Sequence, residues 1–473
     1  MAAFRRTAST VLLVLAVLAL PAGPGAQTPP ADGVAGLIRR LEQAAGTADP
    51  AAILRLGDPA VSRPDFEDFA ATVTSPAPTR TVMGERDRVP LAGGGQRVIV
   101  EIFSERGMEA QLGTWRLDVR PGQTSAEPWR VAAVTRLSVV SGLYRLSLNT
   151  AKEYDIHDLT VRAPDLALEM SSGRAFVAES PDGPTAVVLL GRGRIRFTPT
   201  DPSERTQVRI FSGAEALVTD VNMAFLRVSP EEFDTRFDSA SLKPRAVDPS
   251  DLRAATAVFN DHVGRTLQVD LSDISRERWS LIPAYGDLIA EMRTRRFGTL
   301  TYARSGAEAE DITLFDRKRR RNISVYASAA KLERRGRFYS EDDRIDYDVL
   351  AYDIDAEITP DRGWIEGNVR MKVKVRANSS TSLTFRLAEQ LAVRGVYSPD
   401  FGRLLHLRVV GQNALIVNLP AVLTRDSEIW LDVLYSGTLP SQSFDREAIQ
   451  LAQEVQENFA PLEPRYLYSN RSY

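Results

Sequence analysis

Two runs of alternating residues joined by a tight turn constrain this chain more than any other stretch. From Ile345 the sequence reads IDYDVLAYDIDAEITPDRGWIEGNVRMKVKVR. Leu350, Tyr352, Ile354, Ala356 and Ile358 fall on one face of a strand, with Asp353, Asp355 and Glu357 on the other. After Pro360-Asp361-Arg362-Gly363 the alternation resumes. Ile365, Val369, Met371, Val373 and Val375 point one way, and Glu366, Asn368, Arg370, Lys372, Lys374 and Arg376 the other. A period of two on both sides of such a turn predicts a half-buried antiparallel hairpin. Pairing about the turn sets Ile354 opposite Val369 and Asp353 opposite Arg370, each cross-strand pair contributing roughly 0.2–1 kcal/mol. Asp353, Asp355, Arg370 and Lys372 then read as sheet surface rather than as a site.

The chain has 473 residues, which predicts two to four domains. A net charge of −3 gives no bulk field toward nucleic acid or an anionic membrane. Of 59 basic residues only six are lysine, so 53 are arginine. They are spread along the whole chain, which favours a coding bias over phosphate or carboxylate recognition. There is no cysteine, which excludes disulfides, thiolate catalysis and Cys-ligated zinc. The three histidines, His157, His262 and His406, stand far apart in sequence.

Residues 1–26 read as a secretory signal peptide. Arg5 and Arg6 form the positive region, Val11 to Leu20 the apolar core, and Pro21 to Ala26 the small-residue exit. The expected location is periplasmic or extracellular. The apolar core is shorter than the roughly 20 residues that span a bilayer, a retained anchor being the alternative. No second transmembrane span is expected.

Residues 27–33 are a polar linker. An α+β domain is expected over 34–146. Val34, Leu37, Ile38, Leu41 and Ala45 recur at helical spacing, a second helix follows Asp49-Pro50, and a third runs from Asp65 to Thr72. Strands follow at Arg97–Phe103, Met108–Val119 and Trp129–Leu146. Helices before long antiparallel strands resemble the cone-shaped nuclear transport factor 2-like fold, which implies a pocket and no particular activity.

Residues 147–340 read as a β-rich middle region. Strands are expected at Asp158–Val161, Leu166–Met170, Gly173–Glu179, Thr185–Leu190, Gly193–Pro199 and Arg205–Phe211. Ser172-Gly173 and Gly191-Arg192-Gly193 read as breakers between them. Gly191-x-Gly193 lacks the third glycine and the following helix of a dinucleotide fingerprint. A helix begins at Asp248-Pro249, and five more strands follow between Leu267 and Tyr326.

His157, between Asp155 and Asp158, could be a metal ligand or an oriented base. Its isolation favours a solvated turn, and His262 is weighed the same way. His406 is expected at an outward or edge position in a strand. The run Arg317-Lys318-Arg319-Arg320-Arg321 could bind an anionic surface or polymer. The lack of interleaved aromatics favours a solvated turn instead.

About seven strands between Ile345 and Gly437 predict a β-sandwich. Several stretches recur in one order. They are Asp346-Tyr347-Asp348-Val349, Ile365-Glu366-Gly367-Asn368-Val369, Leu383-Thr384-Phe385-Arg386-Leu387, Ala414 to Pro420, and Leu431 to Gly437, which contains Tyr435-Ser436-Gly437. This set resembles the N-terminal β domain of the M1 family of zinc aminopeptidases, the gluzincins, over residues 343–440. Residues 441–473 then resemble the passage toward that family's catalytic domain.

The resemblance implies zinc on His-Glu-x-x-His with a downstream Glu, and an amine-binding Gly-x-Met-Glu-Asn loop. Neither motif occurs here: His157 is followed by Asp, His262 by Val and His406 by Leu. No catalytic, cofactor-binding or metal residue is therefore carried over, and zinc is expected only in a catalytic domain beyond Tyr473. The chain is expected to be the non-catalytic N-terminal portion of an exported M1-like metallopeptidase. It would act in cis with that domain on peptides, without nucleic acid. The alternative is a complete, exported β-rich binding or structural protein.

Overall fold

The computed structural model describes residues 32–438, apart from 123–127, 272, 307–309, 320, 336–345, 389 and 411–412. The leader expected over 1–26, most of the linker and the segment 441–473 lie outside the described residues.

Asp32 caps the first helix, Gly33–Gly46, by accepting from Val34 N and Ala35 N. Asp49 and Pro50 open Pro50–Leu54 in the same way, and Arg63–Thr74 follows. These three helices cover a sheet of consecutive antiparallel strands: Arg80–Pro90, Gln96–Arg106, Glu109–Arg120 and Arg130–Tyr144. Leu37, Leu41, Phe66, Phe69, Val100 and Trp115 form the core between the layers. Phe69 meets the Trp115 ring edge-on at 4.9 Å. Each such buried side chain contributes about 1.5–3 kcal/mol. The expected helices-on-sheet layer is therefore present, with one strand more, Arg80–Pro90, than the sequence pattern predicts.

That sheet continues past Tyr144. Arg130–Tyr144 pairs with Trp279–Leu281, which pairs with Gln268–Asp270, then His406–Val410, Ala414–Thr424 and Ser379–Arg386. Nine strands drawn from three sequence regions share one hydrogen-bonded ladder. Phe103, Leu143, Val269, Trp279 and Leu407 are buried together where those regions meet.

The second sheet is built wholly from 147–326. Its path runs Leu242–Arg245, Glu153–Ala163, Leu166–Ser180, Gly183–Phe197, Leu217–Val228, Leu288–Thr294, Gly298–Arg304, Ile312–Asp316 and Arg321–Tyr326. The helix Pro249–Val263, capped by Asp248, packs Ala255, Val258 and Phe259 against one face of it.

The third sheet is Tyr347–Thr359, Trp364–Val375, Glu428–Thr438, Leu391–Ser398 and Gly402–Leu404 in that order. Its inner residues Met371, Val373, Val396, Leu431 and Val433 pack on Leu383, Phe385, Leu415 and Val417 of the first sheet. This is the expected sandwich, and one of its layers is the far end of the N-terminal sheet. The molecule is a mainly β, multi-sheet fold in which every sheet is antiparallel.

The hairpin register agrees with the reading from the turn: Asp353 is opposite Arg370 and Ile354 opposite Val369. Other expectations are corrected. Arg205–Phe211 is not a strand but part of the helix Pro202–Ser212. Asp201 accepts from Ser203 N at its start, and Gly213 closes it at φ 88°, an Asp-Pro start and glycine stop overriding a short alternating run. Ser172-Gly173 and Gly191-Arg192-Gly193 do not break strands. They lie inside Leu166–Ser180 and Gly183–Phe197, where Gly173 faces Gly191. A Cβ on Gly173 would come within 2.1 Å of the Leu190 carbonyl oxygen, so the glycines permit a close crossing. Finally, Tyr347–Thr359 is an edge strand whose residues 350–358 are all exposed, so its apolar face is not half-buried.

Candidate functional site

The sequence-singled residues do not converge. His157 is exposed on Glu153–Ala163, and its neighbour Asp155 is bound to Arg174 at 2.6 Å. His157 and its flanking acids form no ligand set, and among the described residues no group of three His, Cys, Asp or Glu could hold a metal ion.

His262 ends the helix Pro249–Val263, stacked on Phe225 with ring centroids 6.1 Å apart. Its Nδ1 lies 3.9 Å from the fully buried Glu291 carboxylate. Arg317, first of the basic run, turns inward and ion-pairs with Glu291, while its Nε donates to Thr301 Oγ1 at 2.7 Å. Burial holds the imidazole below its usual range, against the pull of Glu291. Neither His262 nor Glu291 lines the cavity at His406 or the groove at Gly191-x-Gly193.

His406 corrects its expectation most clearly. It begins an interior strand, between Gln268–Asp270 and Ala414–Thr424, rather than an edge. It lines a cavity of about 460 Å³ between the N-terminal strands, the 270–274 segment and the third sheet. Its Nδ1 is buried without a hydrogen-bond partner, and burial lowers its pKa.

Opposite it, Arg86 donates to Glu101 at 2.7 Å and bidentately to Asp273 at 2.9 and 2.8 Å. Burial works against the Arg86 charge, but these carboxylates raise its pKa and hold Asp273 low.

Among the described residues, two further wall arginines, Arg403 and Arg394, hydrogen-bond to neutral oxygens. Arg403 donates to the Tyr397 hydroxyl at 2.7 Å and the Arg394 carbonyl at 3.2 Å, and its Nε is buried unpaired. Arg394 donates to Ser436 Oγ at 2.8 Å. Guanidiniums whose hydrogen bonds go to neutral oxygens, with Asp273 within electrostatic reach of Arg403, stand beside an imidazole whose pKa burial lowers and suit the oxygens of an anionic group. They provide no nucleophile with an adjacent base. Composition signalled only an excess of arginine; the ladder that links 80–144 through 268–281 to 406–410, with the third sheet packed on it, gathers these residues.

A second, shallower groove of about 860 Å³ surrounds Gly191-x-Gly193, with Glu169, Arg192, Arg194, Asp220 and Arg295 on its walls. Arg194 and Asp220 lie 3.6 Å apart across it.

No protein-family model matches the chain, and no curated protein matches it. Among solved structures it is similar to a point mutant of a two-domain M1 zinc metallopeptidase bound to L-arginine. The likeness has 24% identity and a TM-score of 0.19, and covers 21% of this chain and 22% of that one. The matched part thus spans about a fifth of either protein.

Proposed function

We propose that this chain is the non-catalytic N-terminal portion of an exported M1-like metallopeptidase of the aminopeptidase type. In this reading residues 343–440 pack on a catalytic domain in cis. The observation that carries it is the uncovered apolar face of the edge strand Tyr347–Thr359, with Tyr352 at 60% and Ile354 at 61% exposure. Contiguous exposed apolar side chains mark an interaction surface. The peptidase class comes from the ordered motifs between Asp346 and Gly437. Two tests apply. The reading frame past Tyr473 is expected to encode His-Glu-x-x-His with a further Glu. The purified chain is expected to release no arylamine from aminoacyl-arylamides; chelator-sensitive release would sink the proposal.

A second reading, an exported stand-alone binding module, is favoured by the cavity around Arg394, Arg403 and His406. A stop codon after Tyr473, together with calorimetric binding of a small carboxylate that Arg403→Leu abolishes, would select it.

A further inference from the structure

The basic run at 317–321 is not alone in the fold. Gly298–Arg304 pairs with Ile312–Asp316, so the turn at 294–298 lies beside the turn at 317–319. A methyl group on Gly298 would sit 4.0 Å from Lys318 Cβ. Both turns are braced from within. Thr294 Oγ1 accepts from Phe297 N and donates to the Gly298 carbonyl. The buried Asp316 carboxylate accepts from Lys318 N and Arg319 N. Two fixed backbones thus present Arg295, Arg296, Lys318 and Arg319 side by side, all exposed. Asp316 lies 3.8 Å from Arg319. Among the described residues, no carboxylate lies within salt-bridge distance of Arg295, Arg296 or Lys318. The chain's net charge is −3, so this concentration is local.

Aromatic residues, which do not interleave within the run itself, are supplied by other parts of the fold. Phe211, from the helix Pro202–Ser212, and Phe297 pack at 5.0 Å. Arg319 and Arg321 lie over the Phe211 ring at 5.4 and 5.7 Å, and Arg296 over Phe297 at 4.9 Å. These rings are covered by guanidiniums and by each other, so they offer no open face for stacking a base. Beside Phe211, Ile210 stands 69% exposed. Cations on the ring next to an exposed isoleucine match the headgroup boundary of an anionic bilayer: the charges meet lipid phosphates and the apolar side chain enters below them.

We propose that this end of the second sheet is a peripheral docking surface for an anionic lipid bilayer. It holds the protein reversibly through Arg295, Arg296, Lys318 and Arg319, with Ile210 as the apolar contact. The proposal stands independently of the peptidase reading.

The test is sedimentation of the full chain with vesicles of equal phosphatidylglycerol and phosphatidylcholine, against phosphatidylcholine alone. Binding to the anionic vesicles only is expected, weakening as salt rises. Each cation near such a surface is worth about a fivefold change in partitioning. The triple substitution Arg295→Ser, Arg296→Ser, Lys318→Ser is therefore expected to weaken binding about a hundredfold. Ile210→Ser is expected to remove the binding that persists at high salt. These side chains are exposed, so an unchanged urea midpoint checks the fold. If the triple variant does not fold, Arg296→Ser alone is expected to cost about fivefold. Equal binding to neutral vesicles, a triple variant that binds like the parent, or capture by soluble heparin without vesicle binding would each overturn the proposal.

Discussion

Gly437 has no room for a side chain. A Cβ there would lie 2.2 Å from the Gln390 carbonyl oxygen, and one on Gly367 would lie 2.9 Å from the Tyr435 hydroxyl. Gly367 is opposite Tyr435 in the ladder, so the tyrosine ring takes the space its partner leaves. The glycines in Glu366-Gly367 and Tyr435-Ser436-Gly437 thus have a packing reason. Gly437→Ala is expected to cost about 1–3 kcal/mol, measured as a lower urea midpoint.

Arg227, fully buried, ties the two large sheets together. It donates to the Tyr144 hydroxyl at 2.7 Å, the Thr266 carbonyl at 2.9 Å and the Leu281 carbonyl at 3.0 Å. Tyr144→Phe removes one bond to a buried cation and is expected to cost about 1.5–3 kcal/mol in the same measurement.

His262 and His406 set a pH dependence. Burial depresses both imidazoles below the unfolded value near 6.5. Their contribution to stability is complete above about pH 6.5 and declines as pH falls toward the folded values, because the unfolded chain takes up protons the folded chain refuses. Unfolding midpoints are expected to drop through that window and to flatten in the His262→Gln/His406→Gln variant. An unaltered slope would show that other groups dominate.

Among the elements, the Tyr347–Thr359 and Trp364–Val375 hairpin was the most legible. Its turn sets the register and its alternation sets the faces, and both are local. Whether the apolar face is covered is not local, since it depends on what else is packed there. Ile354→Lys is expected to change the stability of this chain by no more than about 0.5 kcal/mol, since the side chain is exposed. In a longer protein whose catalytic domain covers the face, the same substitution is expected to lower the melting temperature by several degrees. The Pro202–Ser212 helix departs from its expected strand for a local reason. Its Asp201-Pro202 and Gly213 signals override a short apolar alternation. The long strands 166–180 and 183–197 run on through glycines that serve a close crossing, where the sequence alone suggests breaks.

Over the whole molecule, the nine-stranded sheet joins residue 80 to residue 424. Cooperative unfolding is therefore expected across the N-terminal and C-terminal regions. Variants retaining Trp115 or Trp430 as sole tryptophan are expected to report coincident urea transitions. Two separate midpoints would mean that the ladder through Trp279–Leu281 and Gln268–Asp270 carries little stability.

Capping, period and turn chemistry act within a few residues, and helix starts, strand faces and hairpin register were accordingly readable from the chain alone. The sandwich followed from strand density. What could not be read was which distant strands share an edge, and every candidate site depends on that. His406, Arg394 and Arg403 face Arg86 because 406–410 pairs with 268–270. Two basic turns become one surface because 298–304 pairs with 312–316. Backbone donors and acceptors are alike in every strand, so such partnerships arise only when the cores between them are packed.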